Sequence, residues 1–187
     1  MAESETRQFS IAKIALVVAI ILTVVIVLRN VIIKINYPQK YREYVEKYSN
    51  EYQIDKELIY AMIKSESHFK HNAVSSKNAM GLMQILESTA YEVAEQLQKE
   101  VTKDELLNPE INICLGTKYI CNLIKRYGNI ELAVASYNAG IGNVDSWIEK
   151  GIIRKDGTDL ENIPFKETNN YVRKILRDYQ IYKQICK

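Results

Sequence analysis

The most informative stretch of the chain lies between Glu66 and Gln84 and reads ESHFKHNAVSSKNAMGLMQ. A helical run of apolar residues ends at the carboxylate of Glu66, and a polar loop rich in serine and asparagine follows. After this loop the sequence predicts a turn at 79–81. Two apolar residues and the amide of Gln84 follow it. This order places one acid at a helix end above a loop, with a hydrogen-bonding amide nearby. Because a glutamate at a helix end is usually solvated, the stretch alone indicates only a candidate site.

The composition fits one folded domain with an appendage. The chain has 187 residues, 25 basic and 23 acidic side chains, a formal net charge of +2 and no basic run. We therefore expect no nucleic-acid partner. Seven glycines and three prolines are too few for extensive disorder or for an all-β fold with many tight turns. Thirteen tyrosines would suit a wet carbohydrate groove, although helices with half-exposed rings explain them more simply.

The cysteines and histidines predict neither a disulfide framework nor a metal site. Cys114 and Cys121 are seven residues apart on one predicted helix, which separates them by about 10 Å. A disulfide needs Cα atoms within roughly 7 Å, so these two cannot pair. Cys186 is the third cysteine. His68 and His71 are the two histidines, and no CxxC accompanies them, so we expect no metal and no cofactor.

An apolar segment near the N-terminus predicts a membrane anchor. Residues 14–28 carry no charge, and flanking apolar residues extend the segment to 11–33, the length that a transmembrane helix needs. A cleaved signal peptide is the alternative, but the chain continues LRNVIIKINYP without a small-x-small cleavage site. The predicted divisions are a short tail at 1–10, a single-pass signal anchor at 11–33, a linker at 34–40 and a domain at 41–187.

The domain has a helical hydrophobic period throughout and no segment that alternates at period two. Asp55 is the predicted N-cap of a helix with a buried stripe formed by Leu58, Ile59, Met62 and Ile63. Glu66 lies one turn beyond Met62 on the flank of this stripe, where partial burial would raise the pKa of its carboxyl. The predicted fold is all-α.

Local signals predict the bounds of the later helices. Ser88 or Thr89 is the predicted N-cap of the next helix. A longer helix is predicted from Asn108-Pro109 to Gly128 and a short one from Asn129 to Gly140. The last helix is predicted to begin near Glu167-Thr168. After Gly140 we predict a loop that carries Gly151 and Gly157 and leads to Ile163-Pro164-Phe165.

Four short motifs follow one another in this chain: Glu66-Ser67, GLMQ at 81–84, ASYNAG at 135–140, and Glu167-Thr168 with Tyr171-Val172. In order and spacing they resemble the soluble-lytic-transglycosylase (SLT) catalytic domain, which cleaves bacterial peptidoglycan. The resemblance covers roughly residues 41–182, nearly the whole chain outside the anchor. It implies an all-α, lysozyme-like domain, of the kind found in goose-type lysozyme and SLT proteins, preceded by one transmembrane helix.

The resemblance also implies a set of site residues. Glu66 matches the single catalytic acid/base. The positions that match substrate-binding residues are Ser75, Met83, Gln84, Tyr137, Asn138 and Glu167. Two residues depart from the family pattern, since Asn78 replaces a usual glycine and Glu87 a usual proline. Asparagine tolerates left-handed backbone angles, and Glu87 puts a negative charge near a helix start, so neither change touches the chemistry.

The implied activity is that of a peptidoglycan lytic transglycosylase, which forms a 1,6-anhydro ring on muramic acid. An ordinary glycosidase needs two carboxyl groups, whereas here the muramic 6-hydroxyl is the nucleophile and one glutamate acts first as acid and then as base. Two alternatives stay open. One is a goose-type lysozyme-like hydrolase, for which Glu167 is the motif-placed second carboxylate, and the other is a non-catalytic peptidoglycan-binding scaffold. The expected partners are glycan strands and the membrane, and the oligomeric state stays open.

The charges that flank the anchor conflict with this activity. Arg7 and Lys13 precede the apolar core, whereas four basic residues follow it: Arg29, Lys34, Lys40 and Arg42. By the positive-inside rule this distribution leans towards a cytoplasmic domain. Peptidoglycan lies on the other side of the cell membrane. Because the implied activity requires access to peptidoglycan, we expect a cell-membrane protein with an extracytoplasmic catalytic domain.

Overall fold

The structure is a computed structural model and describes residues 2–186. Within these residues the chain forms eight α-helices: α1 Ala2–Asn36, α2 Arg42–Tyr52, α3 Lys56–Ser67, α4 Glu87–Gln96, α5 Pro109–Tyr127, α6 Ile130–Ala139, α7 Ile141–Glu149 and α8 Lys166–Ile185. Two 3-10 helices lie in the connections, at Asp104–Leu107 and Leu160–Asn162. The described residues contain no β-strand, only isolated bridges from Met80 to Val74 and Ile85. The all-α prediction is confirmed.

The chain divides into two compact units, one that ends at Pro38 and one that follows it. The first unit is α1, whose segment Leu16–Asn36 has 21 residues and a mean hydropathy of 2.9. Among the described residues, this is the one helix that is long and apolar enough to cross a membrane. The predicted tail at 1–10 is helical from Ala2 onward, and α1 continues into the predicted linker. The domain boundaries themselves stay predictions.

Helices α3 and α8 pack against each other in the second unit. The predicted apolar stripe of α3 is fully buried, with Leu58, Ile59, Met62 and Ile63 all at 0% exposure. The ring of Tyr60 on α3 stacks on the ring of Tyr182 on α8, with centroids 5.4 Å apart. This packing holds the C-terminal end of α3, which carries Glu66.

Capping residues set the bounds of α5 and α6 as predicted. The side chain of Asn108 accepts hydrogen bonds from two backbone N–H groups of the first turn of α5, and Pro109 occupies its first position. α5 ends at Gly128, where φ is 65°. Asn129 caps α6 by accepting a backbone hydrogen bond at 2.8 Å. These predictions are confirmed because each signal depends only on residues adjacent in sequence.

The predicted N-cap of α4 is wrong by two or three residues. The helix begins at Glu87, and its N-cap is Leu86 rather than Ser88 or Thr89. No side chain caps this end. Glu87 instead lies in the first turn, where its carboxylate accepts a hydrogen bond from the Tyr91 hydroxyl one turn later.

The predicted loop after Gly140 is wrong in its first part, because residues 141–149 form α7, whereas Gly151 and Gly157 do lie in a connection. Gly140 has φ of 86° and ψ of 150°, so a single residue ends α6 and redirects the chain. α7 then buries Val144 and Trp147, three residues apart. Two buried positions in so short a helix give too weak a periodic pattern for a confident prediction from sequence.

Candidate active site

Glu66 is the penultimate residue of α3 and lies half-buried where this helix meets α8. The hydroxyl of Tyr171, on α8, donates a hydrogen bond to its Oε1 atom. Burial raises the pKa of the Glu66 carboxyl to about 7, while the Tyr171 hydrogen bond and the charge of Lys174 limit the rise. The raised pKa lets this carboxyl keep its proton closer to neutral pH than an exposed glutamate does.

The loop after α3 is fixed by buried hydrogen bonds. The hydroxyl of Ser67, the last residue of α3, donates to the carbonyl oxygen of Leu82 at 2.8 Å. The fully buried side chain of Asn112 on α5 accepts from the Met83 N–H at 2.7 Å and donates to the Met80 carbonyl at 2.9 Å. Because these buried polar groups are paired, the loop has one defined path beside Glu66.

Gly81 is required by the same packing. Its φ is 77°, and a Cβ at this position would lie 2.2 Å from Nδ2 of Asn112 and 2.5 Å from the carbonyl oxygen of Leu106. The GLMQ motif therefore begins with glycine because the loop passes directly over the Asn112 side chain.

Tyr137 connects α6 to this loop. Its hydroxyl donates to the carbonyl oxygen of Met83 at 2.9 Å, and its ring packs against Tyr119 with centroids 5.2 Å apart. Burial and the neighbouring negative charge of Glu66 raise the pKa of the Tyr137 phenol. The structure thus brings Tyr137 close to Glu66 as a neutral phenol, so Tyr137 adds no charge beside the acid.

Ser75 and Gln84 both organise the loop backbone. The Ser75 Oγ accepts hydrogen bonds from the N–H groups of Lys77 at 3.2 Å and Ala79 at 3.0 Å. The Gln84 side-chain amide donates to the carbonyl oxygen of Ala73 at 3.0 Å and to a second loop carbonyl at 2.9 Å. Both side chains are partly exposed. The hydroxyl proton of Ser75 and the side-chain carbonyl of Gln84 can therefore still bind an external partner.

Met83 differs from the other predicted site residues because its side chain is 0% exposed. The Thr117 hydroxyl donates to its Sδ at 3.8 Å, and a Cβ added to Gly116 would lie 2.6 Å from that sulfur. A side chain packed this closely into α5 does not reach a sugar. Met83 supports the site from within the core, where its carbonyl oxygen holds the Tyr137 hydroxyl.

Asn138 and Glu167 lie where the end of α6 meets the start of α8. Asn138 is exposed, and its Oδ1 accepts a hydrogen bond from the buried Thr168 hydroxyl at 2.7 Å. Glu167 is exposed in the first turn of α8, and no polar contact ties it to Glu66 within the described residues. Asn138 is therefore held in place by α8, whereas the Glu167 side chain extends into solvent.

Comparison with known protein families matches residues 43–158 to the transglycosylase SLT domain. The chain belongs to this family. Among solved structures, it is similar to the lytic transglycosylase Slt from Pseudomonas aeruginosa, determined as an inactive mutant, with a TM-score of 0.76 and 31% identity. The similarity covers 82% of this chain and 25% of that one. The predicted lysozyme-like SLT fold is confirmed.

Two curated relatives of this SLT-family chain are named as lytic murein transglycosylases. The chain is 32% identical over 144 residues to the soluble lytic murein transglycosylase of Escherichia coli K12, covering 75% of this chain and 22% of that protein. It is 35% identical over 116 residues to the membrane-bound lytic murein transglycosylase C of Serratia proteamaculans, covering 56% and 32%. The chain thus matches about a fifth of the first relative and a third of the second.

The groups that act on Glu66 in this SLT domain are the Tyr171 hydroxyl and the Lys174 ammonium, and neither is a metal ligand of the usual kind. No group of three or more His, Cys, Asp or Glu side chains in residues 2–186 is placed to hold a metal ion. Cys114, Cys121 and Cys186 are free thiols.

The sequence does not predict three residues that shape the SLT site: Tyr171, Asn112 and Lys174. Tyr171 fits the buried stripe of the last helix, and its one functional signal is its position four residues after Glu167 in the last motif. Asn112 and Lys174 carry no local signal, because their roles depend on contacts with residues far away in the chain.

Proposed function

We propose that this SLT-family chain is a membrane-anchored peptidoglycan lytic transglycosylase with Glu66 as its single acid/base. It cleaves the β-1,4 bond between N-acetylmuramic acid and N-acetylglucosamine and leaves a 1,6-anhydro ring on the muramic acid. The observation that carries the proposal is the half-buried Glu66 carboxyl, held by a neutral phenol, with a pKa of about 7. The names of the two curated relatives support it.

In the first half of the reaction, protonated Glu66 donates its proton to the bridging oxygen as the bond from that oxygen to the muramic anomeric carbon breaks. The bonding electron pair leaves with the oxygen, and the carbonyl of the 2-acetamido group stabilises the cationic carbon. A carboxyl with a pKa near neutrality suits this step, because a general acid works best when its pKa is close to the operating pH.

In the second half, the muramic 6-hydroxyl attacks the anomeric carbon, and its proton passes to the Glu66 carboxylate. The new bond closes the anhydro ring and returns Glu66 to its protonated form, so atoms and charge balance without water. Since the nucleophile belongs to the sugar that is cleaved, its proximity replaces a bound water and a second carboxylate. The two groups that act on Glu66 beside its burial are Tyr171 and Lys174, and neither is a carboxylate.

We assign binding of the glycan strand to the residues around Glu66. Ser75, Gln84, Asn138 and Glu167 would contact the strand, and Met83 and Tyr137 would support them from beneath. Ser75 and Gln84 are partly exposed and offer a hydroxyl donor and an amide acceptor, and Asn138 and Glu167 are exposed at the start of α8. Met83 and Tyr137 act differently. The hydrogen bond between them fixes the loop to α6 beneath these groups.

The proposal includes the location of the domain. Residues 11–33 would span the cell membrane once, 34–40 would form the linker, and 41–187 would lie outside the cytoplasm where peptidoglycan is found. The apolar segment Leu16–Asn36 supports the anchor, and so does the similarity to a relative named as membrane-bound. The basic residues after the span favour the opposite orientation, so topology needs a direct measurement.

A topology measurement tests the location. A reporter fused after Lys187 is expected to report an extracytoplasmic position, and the chain is expected to sediment with membranes at its unprocessed mass. A shortened soluble form would favour a cleaved signal peptide. A cytoplasmic reporter would contradict the whole proposal, because the enzyme could not reach its substrate.

Turnover tests the activity. The full-length chain in detergent is expected to release soluble muropeptides from purified sacculi, and Glu66→Gln is expected to bind the same sacculi without releasing them. Binding without any release by the wild-type chain would instead support a peptidoglycan-binding scaffold.

A further inference from the structure

An exposed aromatic side chain lies at the N-terminal end of α8. Phe165 is the N-cap residue of this helix and is 47% exposed. Its ring contacts the buried Trp147 of α7 edge to face, with centroids 5.0 Å apart and ring planes at 88°. This contact covers one side of the Phe165 ring and holds it in place, while nearly half of the residue remains open to solvent.

The contacts of α8 form a row that leads from this ring to Glu66. Three residues after Phe165, the Thr168 hydroxyl donates to Asn138 on α6 at 2.7 Å. Three residues further, the Tyr171 hydroxyl donates to Glu66 on α3. From Phe165 to Tyr171 the helix rises about 9 Å, a distance that a short run of sugar rings can span. A glycan strand bound at the candidate acid is therefore long enough to reach the exposed ring.

We infer that Phe165, supported by Trp147, is a stacking platform for a sugar ring of the glycan strand, away from the bond that is cleaved. The C–H face of a pyranose packs on an aromatic ring, while nearby amides and carboxylates bind its hydroxyls. Asn138 and Glu167, both exposed at the same end of α8, supply such groups. The inference rests on the proposed function, because it extends the same site along the same substrate. Phe165 lies outside residues 43–158, which match the family.

Steady-state kinetics of the full-length chain in detergent, on uncrosslinked peptidoglycan glycan strands, test the platform. Phe165→Ala is expected to raise KM about 5-fold with kcat unchanged, since one aromatic contact of this kind contributes roughly that factor. A contact remote from the reacting bond stabilises the bound substrate and the transition state equally. An unchanged KM would overturn the inference.

Tyr91→Ala is the matched control. Tyr91 is an aromatic residue of α4 with 41% exposure, close to that of Phe165, and its hydroxyl bonds only within its own helix, to Glu87. This substitution is expected to leave KM within about twofold of the wild-type value, because the loss of an exposed ring by itself has little effect. A 5-fold rise in both variants would overturn the platform as a local site.

Two further variants separate stacking from packing. Phe165→Tyr keeps an aromatic face and is expected to retain the wild-type KM. Phe165→Leu keeps an apolar contact with Trp147 but lacks the aromatic face, so it is expected to behave like Phe165→Ala. A wild-type KM in Phe165→Leu would show that the ring only covers Trp147, and would overturn the inference.

The same assay distinguishes failure of the platform from failure of the proposed function. If the wild-type chain releases no anhydromuropeptides, the proposed function fails and the platform fails with it. If the wild-type chain releases them while all Phe165 variants keep the wild-type KM, the function stands and only the platform is overturned.

Discussion

Two carboxylates lie at the interface of α3 and α8, and their surroundings differ in charge. Asp178 is fully buried, and its oxygens contact the Lys64 ammonium at 2.6 Å and the Arg177 guanidinium at 3.0 Å. Glu66, two residues after Lys64 on α3, is half-buried and accepts its hydrogen bond from the uncharged Tyr171. The same helix pair thus holds one carboxylate between cations and another beside a phenol.

The difference shows how one interface can carry both a structural and a reactive carboxylate. Direct ion pairs offset much of the desolvation cost of Asp178, so it can join the two helices from within the core. For Glu66, burial outweighs the Tyr171 hydrogen bond and the charge of Lys174, and its pKa rises to about 7. Removing each carboxylate in turn should therefore affect different properties of the protein.

The largest effect is expected from Glu66→Gln. The amide keeps the size of the side chain but can neither donate nor take up the reacting proton, so turnover on peptidoglycan should fall by about 10²- to 10⁴-fold or more. Thermal unfolding should show a stability at least equal to that of the wild type, because the variant removes a carboxyl that burial disfavours in its charged form. Activity above a tenth of the wild-type rate on purified sacculi would refute the assignment.

Asp178→Asn is the matched substitution at the structural carboxylate. Breaking a buried ion pair by removing one partner costs about 3 kcal/mol, so denaturant unfolding should show a loss of that order. Turnover of the remaining folded fraction should fall far less than in Glu66→Gln, since Asp178 contacts no reacting atom. If the two variants lost stability equally, the distinction between the carboxylates would be wrong.

The pH dependence of kcat/KM tests the raised pKa of Glu66 and the contribution of Tyr171 to it. The acid step needs protonated Glu66, so kcat/KM should fall as pH rises above about 7. The Tyr171 hydrogen bond lowers the Glu66 pKa, so Tyr171→Phe should move this alkaline limb to higher pH. Tyr179 also donates to a carboxylate from α8, but to Asp55, so Tyr179→Phe should leave the limb in place. Equal shifts in both variants would exclude a specific role for Tyr171.

The smallest predicted effect is on stability against pH. The Glu66 pKa is raised on folding, so protonated Glu66 favours the folded state, and this contribution is complete below the unfolded value near 4.5. It is lost as pH rises through about 7. The free energy of unfolding of the wild type should therefore fall relative to that of Glu66→Gln across this range. Parallel stability curves for the two proteins would mean that the Glu66 pKa is not raised.

Features that depend on adjacent residues could be predicted from the sequence. The caps of α5 and α6 and the buried stripe of α3 are examples, because proline, asparagine and apolar spacing act within one or two turns. The start of α4 and the existence of α7 could not be predicted, since Leu86 is an uncommon cap and α7 buries only two residues. The roles proposed for the motif residues still depend on the family resemblance.

The partial burial of Glu66 could be predicted from the sequence, but its hydrogen-bond partner could not. Its partner Tyr171 is 105 residues away in sequence, and Lys64, the cation from α3 that contacts Asp178, is 114 residues from that aspartate. Only the packing of α3 on α8 determines which carboxylate receives a cation and which receives a phenol. Helical periodicity marks Tyr171 as buried but does not identify its hydrogen-bond acceptor.

The central claim is that Glu66 alone carries both proton transfers, with the muramic 6-hydroxyl as the nucleophile. Mass spectrometry of the muropeptides released from intact sacculi tests this most directly, because an anhydro end is one water lighter than a reducing end. The account predicts anhydromuropeptides from the wild type, the same product from Glu167→Gln at a rate lower by about 10-fold through poorer positioning, and none from Glu66→Gln. A predominance of reducing ends, abolished by Glu167→Gln, would contradict the account and establish a two-carboxylate hydrolase.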